Sequence, residues 1–264
     1  MFRRDFLSSL MVLPAFAAHH EPQAGAGAAP PDVFAWTQYS LRNGPQPRRL
    51  ADYLQNAAIP ALNRQGVKPV GVFEALFGVP SQTVFVLAPF TTPGALFSLE
   101  GALDKDEQFA TASAAYSNAP ATDPPFVRQE VSLFSAFPQM PKVQVRAATA
   151  TKGPRLFELR TYESPSERAH RMKVKMFAEM GEIDIFRRVG LTPVFFARTT
   201  VGPRMPSLVY LLVHENMAAR EKSWDAFRTD PEWRKLAATP GFSDADIVSN
   251  ITTVFLRPAG YSQI

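Results

Sequence analysis

The sequence predicts an α+β protein in which two βαββαβ units pack sheet to sheet within one chain. Short motifs recur about 124 residues apart, and the same order of strand and helix patterns surrounds each copy. With 264 residues and a hydrophobic content of 46%, the chain has enough apolar material for one or two cores. These observations exclude wholesale disorder and favour an internal repeat.

The repeat depends on several anchors that keep one order along the chain. Gly66-Val67-Lys68-Pro69-Val70 aligns with Gly190-Leu191-Thr192-Pro193-Val194. At the same offset or one residue less, three further pairs align: Asp106 with Asp230, Phe109 with Trp233, and Tyr39 with Tyr162. Such an ordered set indicates two copies of one structural unit.

Strand and helix patterns follow the same order in both copies. Alternating apolar and polar residues of β-branched and aromatic types predict strands, and capping residues before a longer apolar period predict helices. The first copy is predicted to hold strands 33–41, 70–77, 83–89 and 127–137, with helices at about 49–65 and 95–117. The second is predicted to hold strands 156–163, 193–200, 207–214 and 250–257, with helices at 167–189 and 216–236.

This order is the split βαβ, or ferredoxin-like, arrangement. It gives a four-stranded antiparallel sheet with both helices on one face. The other face of a single unit is uncovered, so two units gain by closing their sheets together. We therefore expect domains at 33–138 and 155–258, joined by a connector.

The first 18 residues have the pattern of an export signal. Arg3-Arg4 precedes Phe6-Leu7, a short apolar run follows, and Ala15-Phe16-Ala17 offers a cleavage site of the A-x-A type. The pattern resembles a bacterial twin-arginine signal, with an ordinary Sec signal as the alternative. We expect a signal peptide at 1–18, a linker at 19–32 and a periplasmic or extracellular protein without a membrane span.

Composition excludes several classes of function. The net charge is +4, and its Lys and Arg residues are scattered, so a nucleic-acid partner is not expected. The absence of cysteine removes disulfides, thiolate metal sites and cysteine nucleophiles. His170 and His214 are the only histidines in the predicted domains and have no metal-ligand spacing, so neither a metal nor a cofactor is predicted.

The second copy contains three short motifs: Phe157-Glu158-Leu159-Arg160-Thr161-Tyr162, Trp224-Asp225-Ala226-Phe227 and Asp230-Pro231-Glu232-Trp233. With these motifs it resembles the NIPSNAP family of the dimeric α+β-barrel superfamily. The resemblance covers about 155–258 and is weaker in the first copy, where Trp36-Thr37-Gln38-Tyr39 replaces the opening motif. The resemblance implies a family without a settled catalytic activity. The superfamily also includes cofactor-free, quinone-forming monooxygenases and haem-degrading enzymes.

Alternation along strand 156–163 divides its side chains between two faces. We expect Phe157, Leu159 and Thr161 to face the helices, and the polar set to face the interior between the sheets. Glu158 and Arg160 would then form either a structural ion pair or part of a pocket for an anionic or hydroxylated ligand. The full set of pocket candidates is Glu158, Arg160, Tyr162, Tyr210, His214 and Tyr39.

The two histidines suggest different environments. His214 ends a strand on the face of Tyr210, where it is either a hydrogen-bonded strand-end residue or a general base or metal ligand. His170 has Arg168, Arg171 and Lys173 as neighbours, which predicts a solvated helix face. Haem binding would require one of the two histidines to point into a cavity.

Two functions from different classes fit these observations. The first is a non-catalytic module that binds a protein partner, a second copy or a small ligand. The alternative is a cofactor-independent monooxygenase or other small-ligand enzyme that uses the space between the sheets. An enzyme of that kind needs a cavity of a few hundred Å³ there, whereas an assembly module fills the same space with Phe and Leu.

Overall fold

The computed structural model describes residues 31–80, 82–145 and 155–264. The predicted signal at 1–18, nearly all of the linker at 19–32, and residues 146–154 of the predicted connector lie outside the described residues. None of the helices in the described ranges is long and apolar enough to cross a lipid bilayer.

Eight antiparallel strands close into a single barrel. Their order around the barrel is β1-β3-β2-β8-β5-β7-β6-β4. Because the barrel is closed, strands β1 to β4 form one continuous group and strands β5 to β8 form the other. The strands are β1 (Val33–Ser40), β2 (Gly71–Phe77), β3 (Thr83–Phe90), β4 (Arg128–Ala136), β5 (Leu156–Glu163), β6 (Thr192–Val201), β7 (Ser207–His214) and β8 (Asn250–Pro258). All eight predicted strands are present.

The two groups of strands join at their edges, not face to face as predicted. The β2–β8 pairing runs from Phe73 opposite Pro258 to Phe77 opposite Phe255, with a register shift. The β4–β6 pairing is equally short and joins residues 133–136 to 197–201. Edge pairing satisfies backbone groups that face-to-face packing leaves unpaired, which is the physical reason for a closed barrel.

The helices lie outside the barrel and are more broken than the sequence suggested. They are α1 (Gln46–Tyr53), a π-helical turn (Leu54–Ala58), α2 (Ile59–Arg64), α3 (Pro93–Phe97), α4 (Leu99–Leu103), α5 (Glu107–Ser117), α6 (Glu167–Ala178), α7 (Glu182–Arg188), α8 (Met217–Thr229), α9 (Pro231–Ala237) and α10 (Asp244–Ile247). Gly181, with φ of 92°, separates α6 from α7 where one helix was predicted. Asn216 and Asp230 cap α8 and α9 through their carbonyl and carboxylate oxygens, so the region predicted as one helix is two.

The interior of the barrel is a packed aromatic core. Rings from both groups of strands meet there: Phe73 lies 4.9 Å from Phe157 and Phe34 lies 5.2 Å from Phe195, between ring centroids. Trp36 stacks on Phe85 at 5.3 Å. Because these rings interdigitate, the barrel interior resembles an ordinary protein core rather than a ligand chamber.

Two further cores lie between the barrel and its helices. One packs β1, β2 and β3 against α1 and α2 through Leu50, Leu54 and Val72. The other packs β5, β6 and β7 against the helices of the second half, and its buried rings include Phe177, Phe186, Phe196, Tyr210, Trp224 and Phe227. Both faces of the sheet are therefore buried, which matters for the orientation of β5.

Candidate functional site

The polar face of β5 points at the helices, which reverses the predicted orientation. Phe157 and Leu159 belong to the core inside the barrel. Tyr162 belongs to the helix-facing core, and Glu158 hydrogen-bonds to side chains of α8. The alternation was correct but the assignment of faces was wrong. In this orientation, α8 supplies donors that compensate the buried carboxylate.

Glu158 is a fully buried carboxylate surrounded by donors. Arg220 donates to both of its oxygens, from Nε to Oε2 and from Nη2 to Oε1, each at 2.9 Å. Trp224 Nε1 donates to Oε2 at 2.9 Å, and Arg160 Nη1 donates to Oε1 at 3.3 Å. His214 Nε2 lies 3.2 Å from Oε2. The bidentate arginine gives the cluster a fixed geometry.

These partners determine the charge of Glu158. Burial alone would raise its pKa, but hydrogen bonds from His214, Arg220 and Trp224 and the charge of Arg160 lower the pKa to about 2. Glu158 is therefore a carboxylate at all ordinary pH values. It cannot cycle as a general acid, and its role is to hold the groups around it.

Arg160 links this carboxylate to the aromatic core. Its guanidinium carbon lies 4.6 Å from the centroid of Trp224 and 5.4 Å from that of Tyr162, within cation–π range. Its Nε is enclosed and has no hydrogen-bond partner. The predicted Glu158–Arg160 ion pair is present, although Arg220 makes the shorter contacts.

The three tyrosines among the predicted site residues are core residues. Tyr210 donates to the hydroxyl of Tyr162 at 3.1 Å, and burial raises the pKa of both side chains, so they stay neutral. Tyr39 is buried in the first half of the chain, in the core under α1, where its ring meets Phe126 edge-on at 5.9 Å. The structure does not bring Tyr39 to the Glu158 cluster.

His214 is the predicted site residue that borders open space. It ends β7 on the face of Tyr210, as predicted, and lines a cleft of about 510 Å³ between the end of β7 and α8. Its Nε2 faces Glu158. Its side chain is only 2% exposed, and no described residue hydrogen-bonds to its Nδ1.

His170 lies on a buried helix face, so the predicted solvated position was wrong. Its side chain is buried and its Nδ1 is enclosed without a partner. Burial is the main cause that lowers its pKa. Spacing explains the error: His170, Lys173 and Phe177 recur at helical intervals on the inner face of α6, despite their charged neighbours.

Two parts of this region were missed at the sequence level. Arg220 and Trp224 lie four residues apart on α8, a spacing that puts both on one helix face, but no motif connected them to Glu158.

Lys173 is buried 3.2 Å from Asp244 Oδ1 and 3.7 Å from Glu182 Oε2. Burial raises the pKa of Glu182 to about 7, against the opposing charge of Lys173.

The space available inside the barrel is small. A cavity of about 100 Å³ opens at one mouth of the barrel, above Trp36, Phe85 and Phe134 and beside the polar side chains of Gln38 and Thr161. Neither histidine of the described ranges points into the barrel, so these residues do not fit a haem there. Within the same ranges no group of three His, Asp or Glu residues is arranged to hold a metal ion.

The fold defines a class of protein, an α+β structure in which a closed eight-stranded antiparallel barrel has its helices on the outside. A candidate monooxygenase from Fusobacterium nucleatum has 8% identity and a TM-score of 0.55, with 88% of this chain and 94% of that one covered. A second, from Lactobacillus acidophilus NCFM, has 9% identity and a TM-score of 0.55, with coverage of 86% and 94%. At this identity the likeness concerns the fold alone.

The family comparison is more specific and concerns the second half. Residues 157–263 match the family model described as NIPSNAP, which confirms the resemblance predicted from the β5 and α8 motifs. An uncharacterized NIPSNAP-like domain protein from Burkholderia xenovorans shares 20% identity over 40% of this chain and 85% of its own, with a TM-score of 0.35. No curated protein matches the chain.

Proposed function

We propose that this protein is a non-catalytic binding or assembly module. The observation that carries the proposal is the filled barrel interior, where rings such as Phe73 and Phe157 occupy the space that a lumen enzyme of this fold would need for substrate. The carboxylate of Glu158 is compensated by donors from Arg220, Trp224 and Arg160, as in a structural network. Binding would then take place on the outside of the barrel.

The module is proposed to consist of two NIPSNAP-like units, residues 33–138 and 155–258. Two features support this. The strand orders β4-β1-β3-β2 and β8-β5-β7-β6 correspond position by position. Tyr39 and Tyr162, which align in the sequence, both lie on the helix-facing side of corresponding strands. One chain would thus supply both halves of the barrel, and a protein partner or a second copy would dock outside it.

Oxygen uptake tests this function. The protein would be mixed with a hydroquinone and oxygen consumption followed with an electrode, with heat-denatured protein as the control. If the barrel interior has no space for a substrate, oxygen consumption should not exceed that of the control. Protein-dependent uptake that is lost when a ring is added at the barrel mouth, as in Thr161→Phe, would overturn the proposal.

The alternative is a cofactor-independent monooxygenase or other small-ligand enzyme, and one observation favours it. The imidazole of His214 borders a cleft large enough for a small molecule, with its orientation fixed by Glu158. A base there could take a proton from a phenol, and phenol plus O₂ would give a quinone plus water. Uptake that is retained in Thr161→Phe and lost in His214→Gln would support this alternative.

Export is also proposed. Arg3-Arg4 with Phe6-Leu7, followed by Ala15-Phe16-Ala17, supports a cleaved twin-arginine signal. The test is cell fractionation in a bacterial host followed by N-terminal sequencing of the exported form. Replacing both arginines by lysine should retain the protein in the cytoplasm. Normal export of that variant would indicate a Sec signal instead.

A further inference from the structure

The cleft beside His214 is an open space outside the barrel with its own chemistry. It has a volume of about 510 Å³ and is bounded by the end of β7, the start of β6, the end of α7 and one face of α8. We propose that it binds a small organic acid that carries a single carboxylate. This inference rests on the proposed function, because it assumes that the protein binds a ligand, and it adds the chemical class of that ligand.

His214 supplies a polar side chain at the inner wall of this cleft. Its Nε2 is held by Glu158, which is a carboxylate and is itself fixed by two bonds from Arg220. Since Nε2 is the nitrogen engaged with Glu158, Nδ1 is the atom left for a ligand. A preoriented imidazole of this kind accepts a hydrogen bond from a hydroxyl group or, when protonated, donates one to an oxygen.

The charges around the cleft favour a monoanion. Lys222 is exposed on its wall, and no described residue forms an ion pair with it. Arg188 also lines the wall, but its charge is already compensated by Asp230 at 2.9 Å and Glu232 at 2.8 Å. Glu215 adds a negative charge to the lining. Arg155 lines the cleft as well. The exposed ammonium of Lys222 attracts a carboxylate, and the negative charge of Glu215 disfavours a second negative charge on the ligand.

The remaining lining suits a hydrocarbon body. Val189, Val213, Ala219 and Ala226 contribute apolar surface between the polar groups. A cleft that combines a cation, an oriented imidazole and apolar walls matches a hydroxylated aromatic or short aliphatic acid better than an inorganic anion. The two ends of such a ligand would contact Lys222 and His214.

The test uses 4-hydroxybenzoate as the probe and the imidazole NMR signals of His214 as the readout. We expect saturable shifts of these signals, with inorganic phosphate at the same ionic strength giving none. Lys222→Ala should weaken binding by about fivefold to tenfold, the loss of one charge-assisted contact. Lys235→Ala removes an equal charge from an exposed site on α9 outside the cleft and should leave the affinity unchanged.

Three outcomes would overturn the inference: no saturable shift up to 20 mM probe, on the order of the weakest specific binding; equal weakening by both lysine variants; or phosphate binding as tight as that of the probe. Any of them leaves the proposed binding or assembly role untouched, since a protein partner could still dock elsewhere. Oxygen uptake in the presence of a hydroquinone instead contradicts the proposed role, whether or not the cleft binds the acid.

Discussion

Replacing the buried carboxylate of Glu158 should cost far more stability than the small change in side-chain shape suggests. Glu158→Gln preserves shape but removes the charge that Arg220 and Arg160 share. Both guanidinium groups are largely shielded, and Trp224 and His214 also direct polar nitrogens at the same oxygens. The variant therefore leaves buried charge without compensation, a change that typically costs about 3–5 kcal/mol.

The pKa of Glu158 gives a second route to the same magnitude. A decrease from the ordinary value of 4.5 to about 2 corresponds to ~3 kcal/mol of stability at about 1.36 kcal/mol per pKa unit. Because the folded pKa is depressed, this contribution is fully present above the unfolded value near 4.5 and is lost as the pH falls toward about 2. This magnitude matches the lower end of the cost of uncompensated buried charge, so a loss of ~3 kcal/mol is expected at neutral pH.

Urea denaturation followed by circular dichroism measures this loss. The matched control is Glu163→Gln on the same strand, where the carboxylate accepts one exposed hydrogen bond from Asn250 at 2.8 Å and should contribute about 1 kcal/mol or less. The wild type should also lose stability below pH 4.5 more steeply than Glu158→Gln does. If both substitutions cost the same small amount, Glu158 does not organise a compensated buried network and this reasoning fails.

Three other predictions follow from the buried residues. Burial raises the pKa of Glu182 to about 7. The contribution of this group to stability is therefore present below its pKa in the unfolded chain and is lost as the pH rises through about 7. Glu182→Gln should remove this pH dependence from the urea midpoints measured between roughly pH 4.5 and 8. Phe157→Ala opens a cavity in the barrel and should cost about 3–5 kcal/mol in the same assay, while Phe97→Ala, 76% exposed, should cost less than about 0.5. Asn216→Ala removes the cap of α8 and should cost about 1 kcal/mol by thermal denaturation.

Strand positions followed from local sequence because their signals are local. β5 and β7 begin and end where alternation and flanking turn residues predicted. The stop at Gly190 agrees with its φ of 86°. The family resemblance followed in the same way, since its motif lies within one strand and one helix.

The facing of β5 could not be read from the sequence for a physical reason. The alternation of apolar and polar residues separates the two faces of a strand. The usual rule, which turns the apolar face toward the core, assumes that the other face is exposed to solvent. Here both faces are buried, one by the barrel interior and the other by helices. The choice depends on where Glu158 can be compensated. That compensation comes from Arg220 and Trp224, more than 60 residues away along the chain.

The position of His170 illustrates the same limit on a helix. Its charged sequence neighbours suggested a helix face exposed to solvent. The inner face of α6 nevertheless also carries Lys173, which is buried because Glu182 and Asp244 compensate its charge. A buried ion pair between distant segments makes a charged residue an unreliable marker of exposure.

A crystal structure of the protein soaked with a hydroquinone and 4-hydroxybenzoate would show whether the barrel interior is filled and where ligands bind. We expect side-chain density around Trp36, Phe73 and Phe157 to fill the interior, with the acid bound beside His214 and Lys222. Ligand density inside the barrel, among displaced aromatic rings, would contradict this expectation.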